Sequence, residues 1–140
     1  MAAIASAFWV GDRRAVLAAV RFEVYLAEEQ PAPGLIVAQG PDSRLVYLHP
    51  DAVVTNDDIG SSWVSDDGAG SGINVEFLAS GAEKMRRATA AHIGRPMAVL
   101  IDGRVVMAPT LRSPISSSAR ISGSFTPEEA QRIADGISPR

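Results

Sequence analysis

The 140-residue chain has no cysteine. That one absence excludes disulfides, thiolate zinc sites and cysteine nucleophiles together, although it does not fix a compartment. Lysine is nearly missing as well. Among 13 basic residues only Lys84 is a lysine, a skew that fits a GC-rich genome, whose codons favour Arg and Ala, better than any special chemistry. Positive charge is not in excess: the formal net charge of -3 argues against a nucleic-acid partner, which takes a concentrated basic face to displace counterions. No run approaches the roughly 20 apolar residues that cross a bilayer. Residues 1–10 are apolar and contain Ala5-Ser6-Ala7, faintly like a signal-peptidase site. They lack a basic n-region, and the apolar stretch before that site is short. Residues 1–19 are therefore read as an N-terminal segment, either a remnant or a short helix over 12–20 with Val16, Leu17 and Val20 on one face.

What remains is the composition of an ordinary folded protein, 46% hydrophobic and 21% charged, long enough for a self-sufficient core. Residues 20–140 are expected to form one domain. Val20, Phe22, Val24 and Leu26 alternate with Arg21, Glu23, Tyr25 and Ala27, the period of a strand with a buried face. Pro31-Ala32-Pro33-Gly34 stops it. A second strand is expected over 44–49, ended by Pro50. Thr55-Asn56-Asp57-Asp58 offers an N-cap with acidic residues behind it, hence a single helical turn. A short strand follows near Trp63, then a Gly/Asp-rich loop over 66–72.

Ile73, Val75 and Phe77 alternate with polar residues as a strand. Ser80 with Glu83 reads as a capping box opening a helix over 81–93, whose stripe is Ala82, Met85, Thr89 and Ile93. Gly94 is placed for its left-handed C-cap, and Pro96 blocks continuation. Residues 97–101 read as a central strand. Asp102-Gly103 between two apolar runs is the strongest local hairpin signal in the chain. A last strand is expected over 120–125. Thr126, Pro127 and Glu129 then open a final helix whose stripe is Ala130, Ile133, Ala134 and Ile137. Phe77, Met85, Ile93, Val99, Ile101, Phe125 and Ile133 are expected to share one core. The order β-α-β-β-α-β over 45–102 gives the fold class α+β, ferredoxin-like (split βαβ), an antiparallel-rich sheet with helices packed on one face.

Residues 76–134 carry a resemblance to a known family. Phe77, Gly81-Ala82, Ile93-Gly94-Arg95, Asp102-Gly103-Arg104, Ala108-Pro109, Pro114-Ile115 and Ile121 to Thr126 occur in one order. That order resembles the head of the first periplasmic domain of SecD, a membrane-embedded accessory of bacterial protein export. Where the family has a glycine-rich stretch after Pro-Ile, this chain has Ser116-Ser117-Ser118-Ala119. The N-terminal third looks more like stand-alone SecD-head-like proteins. The resemblance implies a periplasmic or otherwise extracytoplasmic, non-enzymatic domain without a cofactor. Its partners would be unfolded polypeptide or other export components, and it would meet a membrane only through a partner or a missing upstream segment. A regulatory or ligand-sensing module on the same fold is the alternative.

The catalytic and metal-binding patterns in the chain all have ordinary structural readings. His49 and His92 have no partner at a spacing such as HxxxH, so zinc is not expected, and His92 suits the end of a helix. Asp57-Asp58 and Asp66-Asp67 lack the twelve-residue calcium pattern. Gly68, Gly70 and Gly72 precede a strand, where a phosphate cradle would open a helix. No Gly-x-Ser-x-Gly elbow occurs. Arg86, Arg87 and Arg95 read as a solvated face, and Met85, Met97 and Met107 as core. Proline-bounded strands sit at sheet edges, where backbone groups can accept a guest strand. The candidate polypeptide-binding residues are therefore Arg104, Val106, Ala108, Arg112, Ser113, Pro114 and Ile115, with the two arginines adding attraction for acidic segments.

Overall fold

The computed structural model describes residues 19–66, 68 and 70–138. Most of the helix expected over 12–20 lies outside the described residues. The elements are β1 (Phe22–Glu28), β2 (Ile36–Gln39), β3 (Leu45–Leu48), β4 (Val54–Thr55), a 3-10 turn (Asn56–Asp58), β5 (Ile59–Asp66), β6 (Ser71–Phe77), α1 (Ala79–Ala90), β7 (Met97–Ile101), β8 (Arg104–Met107), β9 (Ser118–Ile121) and α2 (Pro127–Ile137).

They form two sheets. The first runs β2-β3-β1-β7-β8 with β4 paired to β1, and the second runs β5-β6-β9. Every strand pair is antiparallel. The α+β class and the antiparallel character therefore hold, but the described strands do not form a single split βαβ sheet. β6 and β7, joined through α1, fall in different sheets. The reason lies in β1, which is apolar on both faces: Phe22 and Val24 enter one core and Ala27 another. A strand with two buried faces belongs in the middle of a sheet, and β1 takes the place beside β7 that the ferredoxin-like order gives to another strand.

The larger core lies between the sheets. Phe22, Val24, Met97, Val99 and Ile101 from the first sheet meet Ile73, Val75, Phe77 and Ile121 from the second, with Met85 of α1 and Ala130, Ile133, Ala134 and Ile137 of α2. Phe125 packs against it partly buried, whereas Ile93 is 46% exposed. α1 ends at Ala90 and its C-cap is Ala91, so the spacing that would carry Ile93 inward is broken and His92 turns inward instead, 6% exposed. The start of α1 also differs from the expected capping box. Leu78 is the N-cap, with no side-chain hydrogen bond, and Glu83 pairs with Arg86 and Arg87.

Other local signals translate directly into structure. Thr55 and Asp58 make a reciprocal capping box on the 3-10 turn, and Thr126 and Glu129 make one on α2 with Pro127 in its first turn. Asp102 and Gly103 both have positive φ, 52° and 83°, between the paired residues Ile101 and Arg104. This is the tight two-residue turn that Asp-Gly favours. Gly94 has φ 89° in the turn after α1. Gly81 meets a packing demand: a Cβ there would lie 2.9 Å from the Asp58 carbonyl oxygen, so its absence lets α1 sit against the 3-10 turn. Lys84, the lone lysine, reaches the buried Asp58 at 3.0 Å. Ser118 and Ala119, in the stretch that is glycine-rich in the family, are extended in β9 opposite Glu76 and Val75.

Candidate functional site

β8 is the edge of the first sheet. β7 pairs with one side of it, and no described strand pairs with the other. The chain stays beside β7 a little further, through a bridge between Pro96 and Thr110 and a 2.9 Å bond from the Met97 N–H to the Pro109 carbonyl. The proline-bounded segment thus lies at a sheet edge.

An open groove of about 910 Å³ runs along this edge. β8 and Ala108-Pro109 form its floor. Gly40, Pro41, Asp42 and Arg44, at the tip of the β2–β3 hairpin, form one wall, and Ser122 to Phe125 with the first half of α2 form the other. Two contacts fix the walls to the floor. Arg44 donates to the Ala108 carbonyl at 3.1 Å, and the Ser122 N–H lies 3.2 Å from the Met107 sulfur. The charges are mixed: Arg44, Arg104 and Arg132 face Asp42, Asp102 and Glu129 around the groove. Glu129 is held below the usual carboxylate range, first by the Thr126 backbone N–H and then by its hydroxyl. A groove with both signs selects weakly for charge, and exposed charges contribute little each.

Three of the seven candidate residues come together here. Arg104 and Val106 line the groove and Ala108 lies in its floor, though its side chain is largely buried in the core under the hairpin. Arg112, Ser113 and Pro114 are exposed beyond it. Ile115 is folded back onto α1, where its N–H donates to Thr89 Oγ1 at 2.8 Å and its carbonyl lies 3.3 Å from the same hydroxyl. The walls escaped the sequence reading, since 40–43 carried no expected element, Arg44 read as the start of a strand, and 122–125 read as strand. Met85 and Met97 are buried and Met107 half-buried, so all three serve packing.

The histidines occupy another corner, where β1 ends, β3 ends and α1 has just finished. His49 Nε2 is 2.7 Å from Glu28 Oε2, and His92 Nε2 is 3.7 Å from the same oxygen. The two rings stand edge to face with centroids 5.8 Å apart. The His49 hydrogen bond holds the Glu28 carboxyl below its ordinary range against the opposing effect of burial, and Arg95 adds to it.

Comparison with known proteins identifies the architecture. The model of the SecDF P1 head subdomain matches residues 34–137. The chain belongs to the SecDF P1 head subdomain family. Protein translocase subunit SecD of Aquifex aeolicus is 34% identical over 109 residues, 76% of this chain and 22% of that protein. SecD of Rhodobacter capsulatus is 39% identical over 84 residues, 59% of this chain and 15% of that protein. A solved structure of SecDF, described as a membrane component that enhances protein export, superposes with a TM-score of 0.68 at 22% identity, covering 91% of this chain and 66% of that one. SecDF in its super-membrane-facing form gives the same TM-score at 23% identity over 20% of its chain. The chain spans about a fifth of the length of the curated relatives it matches. No described helix is long and apolar enough to cross a membrane.

Proposed function

We propose that this SecD-head domain binds unfolded polypeptide outside the cytoplasm, as part of protein export, and catalyses no reaction itself. An extended segment enters the groove and adds to the edge of β8 through backbone pairing, the mode that gives affinity with little sequence preference. Arg104, Val106 and Ala108 supply the first contacts. Arg112, Ser113 and Pro114 extend the surface, and Ile115 anchors that extension to α1. The open edge of β8 beside a groove is the observation that carries this reading. A small-molecule sensor would be expected to enclose its ligand in a cavity with convergent polar groups, whereas this groove is partly open to solvent.

The test is a titration of the domain with a reduced, permanently unfolded model protein, followed by amide chemical shifts. Shifts should concentrate in residues 104–115 and in the walls at 40–44 and 122–125. Unmoved amides there at about 1 mM ligand, a concentration that would reveal even a weak complex, would reject the proposal.

A further inference from the structure

Glu28, His49 and His92 come from three separate elements, yet their ligating atoms all lie within 4.8 Å of one another. Tetrahedral zinc, with bonds of about 2.0–2.1 Å, sets its ligand atoms about 3.3 Å apart. The separations of 2.7 and 3.7 Å from Glu28 Oε2 to the two Nε2 atoms bracket that spacing. The backbone positions each donor. The His49 N–H donates to the Leu26 carbonyl at 2.9 Å, the His92 N–H to that of Thr89 at 3.0 Å, and the Ala27 N–H to that of Pro96 at 3.0 Å. The His92 side chain is 6% exposed and that of His49 is 41% exposed, so the cluster has a buried wall and an open mouth.

We propose that Glu28, His49 and His92 form a binding site for a divalent transition-metal ion of the zinc class. Two imidazole nitrogens and one carboxylate select such an ion over magnesium or calcium, which prefer oxygen ligands. Loading requires both imidazoles neutral with the Nε2 lone pair directed at the ion. For His92 the proton that bonds the Ala27 carbonyl, 2.8 Å away, moves to Nδ1, and that carbonyl then accepts from the ion-bound water. Water entering beside His49 fills the fourth position. Arg95 opposes the ion, with Nη1 3.4 Å from Glu28 Oε2, but its side chain is 62% exposed and can swing into solvent. A bound ion joins the end of β1, the end of β3 and the turn after α1, fastening the base of the β2–β3 hairpin. A search for local ligand spacing overlooks such a site because its ligands are brought together only by the fold.

Zinc chloride titrated into the full chain at about pH 7.5 tests the site by calorimetry and by imidazole nitrogen shifts. A single ion should bind, moving the ring signals of both histidines. His49→Ala and Glu28→Gln should each weaken binding about tenfold or more, the loss expected for a direct ligand. Arg95→Ala should tighten it severalfold, an effect that loss of a merely structural contact would not give. Three outcomes would each overturn the proposal: ring signals that stay still up to about 1 mM zinc, equal affinity in His49→Ala, or weaker binding in Arg95→Ala. The ring shifts are read on the unaltered chain, so the test stands even if a variant misfolds.

Discussion

Along β7, Met97, Val99 and Ile101 pack into the core between the two sheets, whereas Ala98 and Leu100 pack on the opposite face, beneath the β2–β3 hairpin. The same strand thus serves two cores of different construction. Among the described residues the inter-sheet core joins eighteen buried residues from six strands, two helices and the positions Val20 and Leu111, and the hairpin core joins seven from β1, β3, β7, β8 and the residue after it. Apolar burial scales with area, so the larger core sustains the fold and the smaller one depends on it. Polar fastenings make up part of the difference on the hairpin side. Arg44 holds the Ala108 carbonyl across the groove, and Glu28 meets His49 and Arg95 at the hairpin's base. The hairpin also leaves Ile36, Val37 and Leu45 about half exposed. The wall of the groove therefore stands on the weaker core, and widening of the groove to admit a strand would involve the hairpin before the inter-sheet body.

Truncation in the larger core is the strongest test of this asymmetry. Phe77→Ala should cost about 3–5 kcal/mol, as for a buried aromatic ring, since Phe77 is 7% exposed at the meeting of β6 and the inter-sheet core. Denaturant unfolding gives the value. Native-state amide exchange should rise throughout both sheets, because the loss is global. A loss below about 1 kcal/mol would mean that the ring contributes little and would erase the distinction between the cores.

Leu100→Ala should cost less, about 2–3 kcal/mol, at the low end for buried leucine. The hairpin can settle onto the space left, while two sheets joined by helices cannot. Exchange should accelerate in β2 and β3 well before β5 and β6. Equal acceleration in the two sheets would merge the cores into one cooperative unit. Gly103→Val comes next, at about 1–2 kcal/mol, because a β-branched residue resists a left-handed backbone and φ at Gly103 is 83°. The turn is docked on Arg21, just before β1, with the Arg21 N–H on Asp102 Oδ1 at 2.9 Å and the Asp102 N–H on the Arg21 carbonyl at 2.8 Å. Its strain should therefore weaken both cores alike, and a change confined to the hairpin would contradict that.

The same asymmetry governs what could be read in advance. The C-terminal two thirds was legible because its signals are local: Asp-Gly for the β7–β8 turn, Thr-Pro-Glu-Glu for α2, and a continuous apolar run for β7. The hairpin side was not. β2 is four residues with three of them exposed, so it carries no alternation of buried and exposed positions to betray a strand. The partner of β7 could not be read either. Periodicity marks Phe22 and Val24 as inward, but the burial of Ala27 on the other face and the pairing order are decided by long-range contacts. For the candidate site, the edge position of β8 followed from its flanking prolines, whereas the walls of the groove come from segments distant in sequence. Nothing local joins His49 to His92, which meet only because β3 returns along β1 and α1 ends above Ala27.

The smallest expected effect is a dependence on alkaline pH confined to the hairpin side. Tyr25 packs partly buried against the hairpin core, and its hydroxyl donates to Glu23 Oε2 at 3.1 Å. Burial pushes the phenol above its ordinary range. The hydrogen bond to Glu23 and that group's charge push the same way, Asp51 adds to them, and Arg21 opposes. A folded-state pKa above the unfolded one means that the folded chain favours the protonated ring. The resulting stability is fully present below the unfolded value of about 10, and it is lost as pH rises through the folded value. Tyr25→Phe keeps the ring and removes the titration. Urea midpoints measured at about pH 8 and about pH 10.5 should fall more for the original chain than for the variant. Changes common to the two chains cancel in the difference. The extra loss should appear as faster exchange in β2 and β3, with β5 and β6 unchanged. Equal declines in the two chains would show that the phenol carries no pH-linked stability, leaving packing and the ion pairs to hold the hairpin.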